Sequence, residues 1–380
     1  MINRFERFNS GRAMFFLIAI ITVIFVGAVL KLASSVMLPF TISVFLAIVT
    51  SPIVKLLEKL RIPRILSIIL LVCALMGVLI FTGIVLISSS RVLLVIYPRY
   101  EARFTEIYIW LAQLLELPYN EHLSFIENLW GQLGVRNRVM AMTFSISNAL
   151  LTFLTDAFLV AIFMTFILIE ASFFREKLDR AFEGRRAEQI KNISSGVFTQ
   201  IARYLSLKFV ISLFTGVVVG VGLSIVGVEF AIVWGVIQFV LNFIPNIGSI
   251  AVGMAATVFS LVQFWPEPAP VIATGFIMLG ANMIIGNVIE PKITGDRLGL
   301  SPLVVLVSLL AWGWIWGFTG LILAVPMMAI IKITCENIPV LEPIAILMGS
   351  HKAAAIIKSE EETVSNDICE NKEDNKSKNT

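Results

Sequence analysis

The chain has 380 residues, 58% hydrophobic and only 14% charged, with a mean hydropathy of +0.91, where a soluble globule carries roughly 25% charged residues. A water-soluble globule is excluded, and several apolar runs of about 18 or more residues, each enough for about 30 Å of hydrocarbon, predict an all-α polytopic membrane protein. The net charge of +3 says little by its size; Lys and Arg matter by position, because near span ends they set orientation.

The basic stretch 1–13, with Arg4, Arg7 and Arg12, precedes an apolar run from Met14 to Leu30 that ends at Lys31. It is longer than a signal-peptide core and reads as an uncleaved anchor with its basic end in the cytoplasm. A second run, about Val36 to Val54, leads into Lys55, Lys59, Arg61 and Arg64, a cytoplasmic loop. A third, Ile65 to Ile87, completes a region of three spans over 14–90. Residues 91–148 hold five basic and five acidic residues, a balance that fits the outer face. Within them Phe104, Ile107, Leu111, Leu114 and Leu115, then Leu123, Ile126, Trp130 and Leu133, recur at helical spacing and predict a small cap of amphipathic helices.

The region 149–208 opens with a span to about Phe174 and continues into eight basic residues, Arg175 to Lys208. There Ile190, Ile193, Val197, Ile201 and Leu205 predict an amphipathic cytoplasmic helix. A fifth span, Phe209 to Val228, begins the region 209–335. Here run lengths depart from simple spans. Phe230 to Gln263 would make a helix of about 50 Å and is interrupted by Asn242-Phe243-Ile244-Pro245-Asn246-Ile247-Gly248, where proline removes a donor and glycine loosens the backbone. Pro302 to Ile333, about 48 Å as a helix, carries Trp312-Gly313-Trp314-Ile315-Trp316-Gly317. Each predicts two short legs around a broken tip. As re-entrant hairpins they put Glu267 outside and Lys292 and Arg297 inside, leave six full spans with both termini cytoplasmic, and pair 209–263 with 271–333 as inverted repeats. Eight plain spans are the competing topology. The tail 336–380 is cytoplasmic, with disorder expected from about residue 359.

Several of these motifs resemble the AI-2E family of bacterial transporters. They are Gly227-Val228-Glu229-Phe230-Ala231-Ile232-Val233-Trp234-Gly235, the Asn242 to Gly248 tip, Glu290-Pro291-Lys292 with Gly295, Leu298-Gly299-Leu300-Ser301-Pro302, the Trp312 to Gly317 segment and Ala324-Val325-Pro326. Upstream Pro39, Pro52 and Ile62-Pro63-Arg64 share the likeness, which covers about residues 10 to 350. Where the family typically has Asp, this chain has Glu170. The resemblance implies a permease of the cytoplasmic (inner) membrane, export of autoinducer-2 in some members, cation/proton antiport in others, and a homo-oligomer.

Irregular backbone at membrane depth survives where it lines a cavity, so the tips mark the candidate site. Gln238, Asn242, Pro245, Asn246 and Gly248 belong to the first, and Trp312, Trp314 and Trp316 to the second. Asn282, Asn287 and Glu290 lie on the span between, and Asp156 is an intramembrane carboxylate. The amides bind a small polar solute or satisfy a broken backbone. The tryptophans stack on a sugar-like ring or belt the interface. Glu290 couples transport to a proton or sodium ion, or pairs with Lys292 or Arg297 as a hinge. Gly216 and Gly220 form a helix-packing GxxxG rather than a nucleotide loop. With three scattered cysteines and two histidines, no metal site or cofactor is expected; no GxSxG or HExxH points to an enzyme, and no nucleic acid is implied. The partners are the lipid bilayer and a solute. A non-transporting envelope scaffold is the competing class.

Overall fold

The computed structural model describes residues 10–115, 152–171, 173, 177, 185–245, 247–294, 300–338 and 341–349. Among these the chain is helices joined by turns, and β pairing is confined to an isolated bridge between Leu300 and Gly349. Seven of the helices are long and apolar enough to cross a membrane, making this a multi-pass membrane protein. Helices α1 (Ser10–Leu32) and α2 (Ser34–Lys59) meet at Ala33. A basic turn, in which Arg61 has φ 65°, leads through Pro63 into α3 (Arg64–Leu114). The span α4 (Thr152–Ala171) lies against α2 and α3, with Ala47, Val54, Ile68, Leu71, Met164 and Leu168 sharing one core. Arg64 donates to the Leu168 carbonyl at 2.9 Å, closing one end of that group.

Two helices run further than hydropathy implies. The 51 residues of α3 extend about 77 Å, of which Arg64–Leu93 is span-like. The third predicted span and the first predicted cap helix are therefore one rod. Ser88-Ser89-Ser90 and Arg91 end the apolar run without breaking a helix, and Pro98 lies within it. The cap residues Phe104, Leu111, Leu114 and Leu115 are exposed on this extension, and the second apolar series, 123–133, lies outside the described residues. Likewise α5 (Arg185–Val226) merges the basic amphipathic helix and the fifth span into 42 residues, with Ile201 and Leu205 buried. Its end is a left-handed cap: Gly227 has φ +86°, and the Val228 N–H bonds the Leu223 carbonyl at 2.9 Å.

Both broken stretches double back. In hairpin one, α6 (Ala231–Leu241) and α7 (Ile247–Phe264) flank the tip. A Cβ on Gly248 would fall 1.9 Å from the Leu241 carbonyl oxygen, so only glycine lets the second leg start on the end of the first. In hairpin two, α10 (Pro302–Glu336) breaks at Trp316 (φ −121°, ψ 15°) and Gly317 (φ 61°, ψ −138°). There a Cβ on Gly320 would fall 1.9 Å from the Trp312 carbonyl oxygen. The two tips thus repeat one device. Between the hairpins run α8 (Pro268–Ala281), a π-helical segment Asn282–Ile289 and α9 (Glu290–Thr294). The short α11 (Glu342–Met348) receives the Ser301 N–H on its Met348 carbonyl at 2.9 Å.

The GxxxG of α5 works as helix packing. A Cβ at Gly216 would meet the Gly235 carbonyl at 2.7 Å, and one at Gly235 the Gly216 carbonyl at 2.7 Å, so α5 and α6 cross backbone to backbone.

Candidate functional site

The tip of hairpin one gathers amides and hydroxyls from three elements. Asn242, in the first residue after α6, donates from Nδ2 to Ser212 Oγ of α5 at 3.0 Å. Its Oδ1 accepts the Ser249 hydroxyl at 3.0 Å, at the start of α7. One turn back on α6, Gln238 Nε2 donates to Ser249 Oγ at 3.2 Å and to Asn282 Oδ1 at 3.4 Å. Asn282 in turn donates to the Ser249 backbone carbonyl at 3.2 Å. The helices place these groups simply. Gln238 and Asn242 are one turn apart on α6, and Asn282 sits where α8 gives way to the π segment, an irregularity common at functional sites.

Gln238 is fully buried, yet its Oε1 has no hydrogen-bond partner among the described residues. An unpaired buried acceptor costs about 1–3 kcal/mol, so a donor reaching Gln238 Oε1 would be favoured. The network is uncharged throughout, and 231–264 contains no Asp, Glu, Lys or Arg.

A charged pair lies one turn away. Lys208 precedes Ser212 by four residues on the same face of α5 and bonds Glu290 Oε1 at 2.6 Å. Lys208 is almost wholly buried and Glu290 half-buried. The π segment therefore has a polar contact at both ends, Asn282 to the amide network and Glu290 to Lys208.

At the far end of α5 a second polar group fixes the roots of hairpin one. Gln263 Oε1 accepts the Glu229 N–H at 2.8 Å, and Gln263 Nε2 bonds the Gly227 carbonyl at 2.9 Å. The Glu229 carboxylate takes the Tyr100 hydroxyl and lies 3.4 Å from Arg99, both on the α3 extension. Burial and then this hydrogen bond raise the Tyr100 pKa above its ordinary value. Trp110 and Trp265 add an edge contact at 5.3 Å.

The other predicted residues distribute as follows. Trp312 and Trp316 are buried with ring centroids 5.0 Å apart, and Trp316 Nε1 donates to the Leu30 carbonyl at 3.2 Å. Trp314 is exposed, with Lys31 Nζ 4.0 Å over its ring. Pro245 and Gly248 shape the tip, and Asn246 lies outside the described residues. Asn287 faces outward, apart from the network, and Asp156 is exposed on α4. Of the twelve, then, Gln238 and Asn282 meet directly, and Asn242 joins them through Ser249. Sequence reasoning missed Ser212, Ser249 and Lys208; the readable signal was a Lys and a Ser four apart inside an apolar span. The Glu290 carboxylate, for which Lys292 or Arg297 was one expected partner, bonds Lys208 instead, and Arg297 lies outside the described residues.

Residues 15–339 match the family described as AI-2E family transporter. A Haemophilus influenzae protein provisionally described as a transport protein is 33% identical over 339 residues, 88% of this chain and 95% of that one. A Borreliella burgdorferi protein with the same provisional description is 35% identical over 202 residues, covering 53% of this chain and 56% of the relative. The AI-2 transport protein TqsA of Escherichia coli K12 is 35% identical over 217 residues, 56% of this chain and 61% of its own. In these last two the matched stretch spans little more than half of the relative.

Proposed function

The chain belongs to the AI-2E family of transporters, and on that premise we propose that it is a secondary transporter exporting a small, uncharged, polar solute, an autoinducer-2-like signal foremost. It works in the bacterial cytoplasmic membrane with both termini inside, as a homo-oligomer. Six helices cross and the two hairpins are re-entrant. The short first leg of hairpin one supports this, since the 11 residues of α6 reach only about 16 Å, half the hydrocarbon thickness.

The observation that carries the reading is the Gln238–Asn242–Ser249–Asn282 network with its orphaned Gln238 Oε1. A neutral cluster with an unmatched acceptor suits a hydroxyl-bearing solute and offers nothing to hold a bare ion pair. The test is flux of candidate solutes, autoinducer-2 included, in proteoliposomes bearing wild type or Gln238→Leu. Loss of flux in the variant at equal membrane content is expected; unchanged flux would remove the network from the pathway.

A second reading, monovalent cation/proton antiport, draws on the Lys208–Glu290 ion pair one turn from the network. It predicts sodium-dependent proton movement in the same liposomes that Glu290→Gln abolishes and Gln238→Leu spares.

A further inference from the structure

Helix α3 and the root of hairpin one part where the apolar run of α3 gives out, and a groove of about 370 Å³ lies between them. Its walls are Val85, Ser88, Ser89 and Val92 on one face of α3, Ser224 near the end of α5, and the start of α6 from Phe230. Val92 and Ile232 on its rim are exposed, so the groove opens sideways to the surrounding lipid. Ser88 stands about 36 Å along the helix from Arg64, which follows the basic turn at the other end of the span, and the hydrocarbon is about 30 Å thick. The groove therefore lies where acyl chains give way to glycerol and phosphate.

Its polar groups are uncommitted. Thr22, Thr41 and Ser224 each return a hydroxyl to the carbonyl four residues back at 2.8 Å, the usual recourse inside a helix. The Ser88 and Ser89 hydroxyls make no hydrogen bond among the described residues. Arg91 is exposed one turn beyond Ser88 on the same side of α3, and it too has no ion pair among the described residues. The next cations on the helix, Arg99 and Arg103, are engaged by Glu229 and Glu106.

The opposite wall is set by the backbone. Phe230 is left-handed, with φ 60° and ψ 28°, a conformation uncommon for a bulky side chain. Gln263 and Tyr100 hold the preceding Glu229, and the Phe230 ring lies 6.0 Å from that of Phe259. The groove is thus preformed.

We infer that this groove binds one anionic phospholipid, its phosphate on Arg91 and the Ser88 and Ser89 hydroxyls and its acyl chain against Val85, Phe230 and Ile232. A free guanidinium beside two hydroxyls suits a phosphodiester, and the apolar walls suit a chain that already lies in hydrocarbon. A zwitterionic lipid carries its own ammonium beside the phosphate, so Arg91 gains less from it. The bound lipid fills the wedge between α3 and hairpin one, whichever solute the protein carries.

The test is cross-linking in liposomes with phosphatidylglycerol or phosphatidylcholine bearing a photoreactive group near the glycerol end of one chain. Adducts on 85–92 and 224–233 are measured against those on the lipid-exposed helix α1. Wild type should favour phosphatidylglycerol over phosphatidylcholine in the groove about fivefold, the worth of one cation near an anionic headgroup. Arg91→Gln should remove that preference, and Ile232→Trp, which fills the groove from an exposed position, should lower the yield with both probes. Arg103→Gln should change neither. Groove labelling no greater than that of α1, a preference that survives Arg91→Gln, or an equal loss with Arg103→Gln overturns the inference. Displacement by inorganic phosphate beyond that by chloride at equal ionic strength would give the groove to a soluble anion and overturn it as well.

Discussion

Lys208 Nζ and Glu290 Oε1 lie 2.6 Å apart, joining α5 to the first residue of α9 across 82 positions of sequence. Lys208 stands one turn from Ser212 of the amide network, and Glu290 follows the π segment that begins at Asn282.

Removing one partner should therefore cost more than removing both. Lys208→Met leaves a partly buried carboxylate unmatched, and about 3 kcal/mol is expected for a broken buried pair, less here because Glu290 is partly exposed. Thermal unfolding of the purified protein should show Lys208→Met well below wild type, with Lys208→Met/Glu290→Gln recovering most of the loss. For transport, Glu290→Gln should keep downhill solute exchange and lose gradient-driven accumulation. Driven transport with an unchanged pH profile would move the coupling role elsewhere, with Asp156 next to be tested.

The tip glycines give a packing prediction. Gly248→Ala and Gly320→Ala each place a methyl within 1.9 Å of a helix-terminal carbonyl, and the forced displacement should cost about 1 to 3 kcal/mol. Gly286→Ala, where nothing lies within 4 Å, serves as the control. Equal melting temperatures for all three would mean that the hairpins do not turn on these residues.

Topology is read by single-cysteine labelling. On a background lacking Cys73, Cys335 and Cys369, Glu267→Cys should react from outside and Lys292→Cys from inside. The reverse assignment would make hairpin one a plain span and end the inverted-repeat description.

Tyr100 supplies a pH prediction. Its raised pKa keeps the phenol protonated in the folded protein where an unfolded chain begins to ionise, at about pH 10. The stability it contributes is fully present below that pH and is lost as pH rises further. Tyrosinate absorbance should show one late-ionising phenol fewer in Tyr100→Phe. In Glu229→Gln that phenol should titrate earlier, since the carboxylate that holds the hydroxyl is gone. A wild-type titration matching Tyr100→Phe would contradict the contact.

The spans, both broken tips and the GxxxG packing were legible because each follows from run length or from a residue with a fixed backbone habit, such as Pro245 or Gly317. Continuity was not. Nothing in hydropathy says that α3 carries on past Arg91, because a polar helix and a polar loop have the same transfer cost. Partner choice was also hidden. Lys292 is the nearer base in sequence, yet helical phase leaves it exposed and turns Glu290 toward Lys208. Ser212 and Ser249 gained their roles only when three elements converged, and single-chain periodicity cannot express that.

Hairpin one, residues 231–264, contains no ionisable side chain. A charge moved through the full membrane field does about 2.3 kcal/mol of work per 100 mV, and hairpin one carries no charge to move. Voltage acts instead on charged groups elsewhere on the apolar helices, Lys208, Glu290 and Lys332 among them.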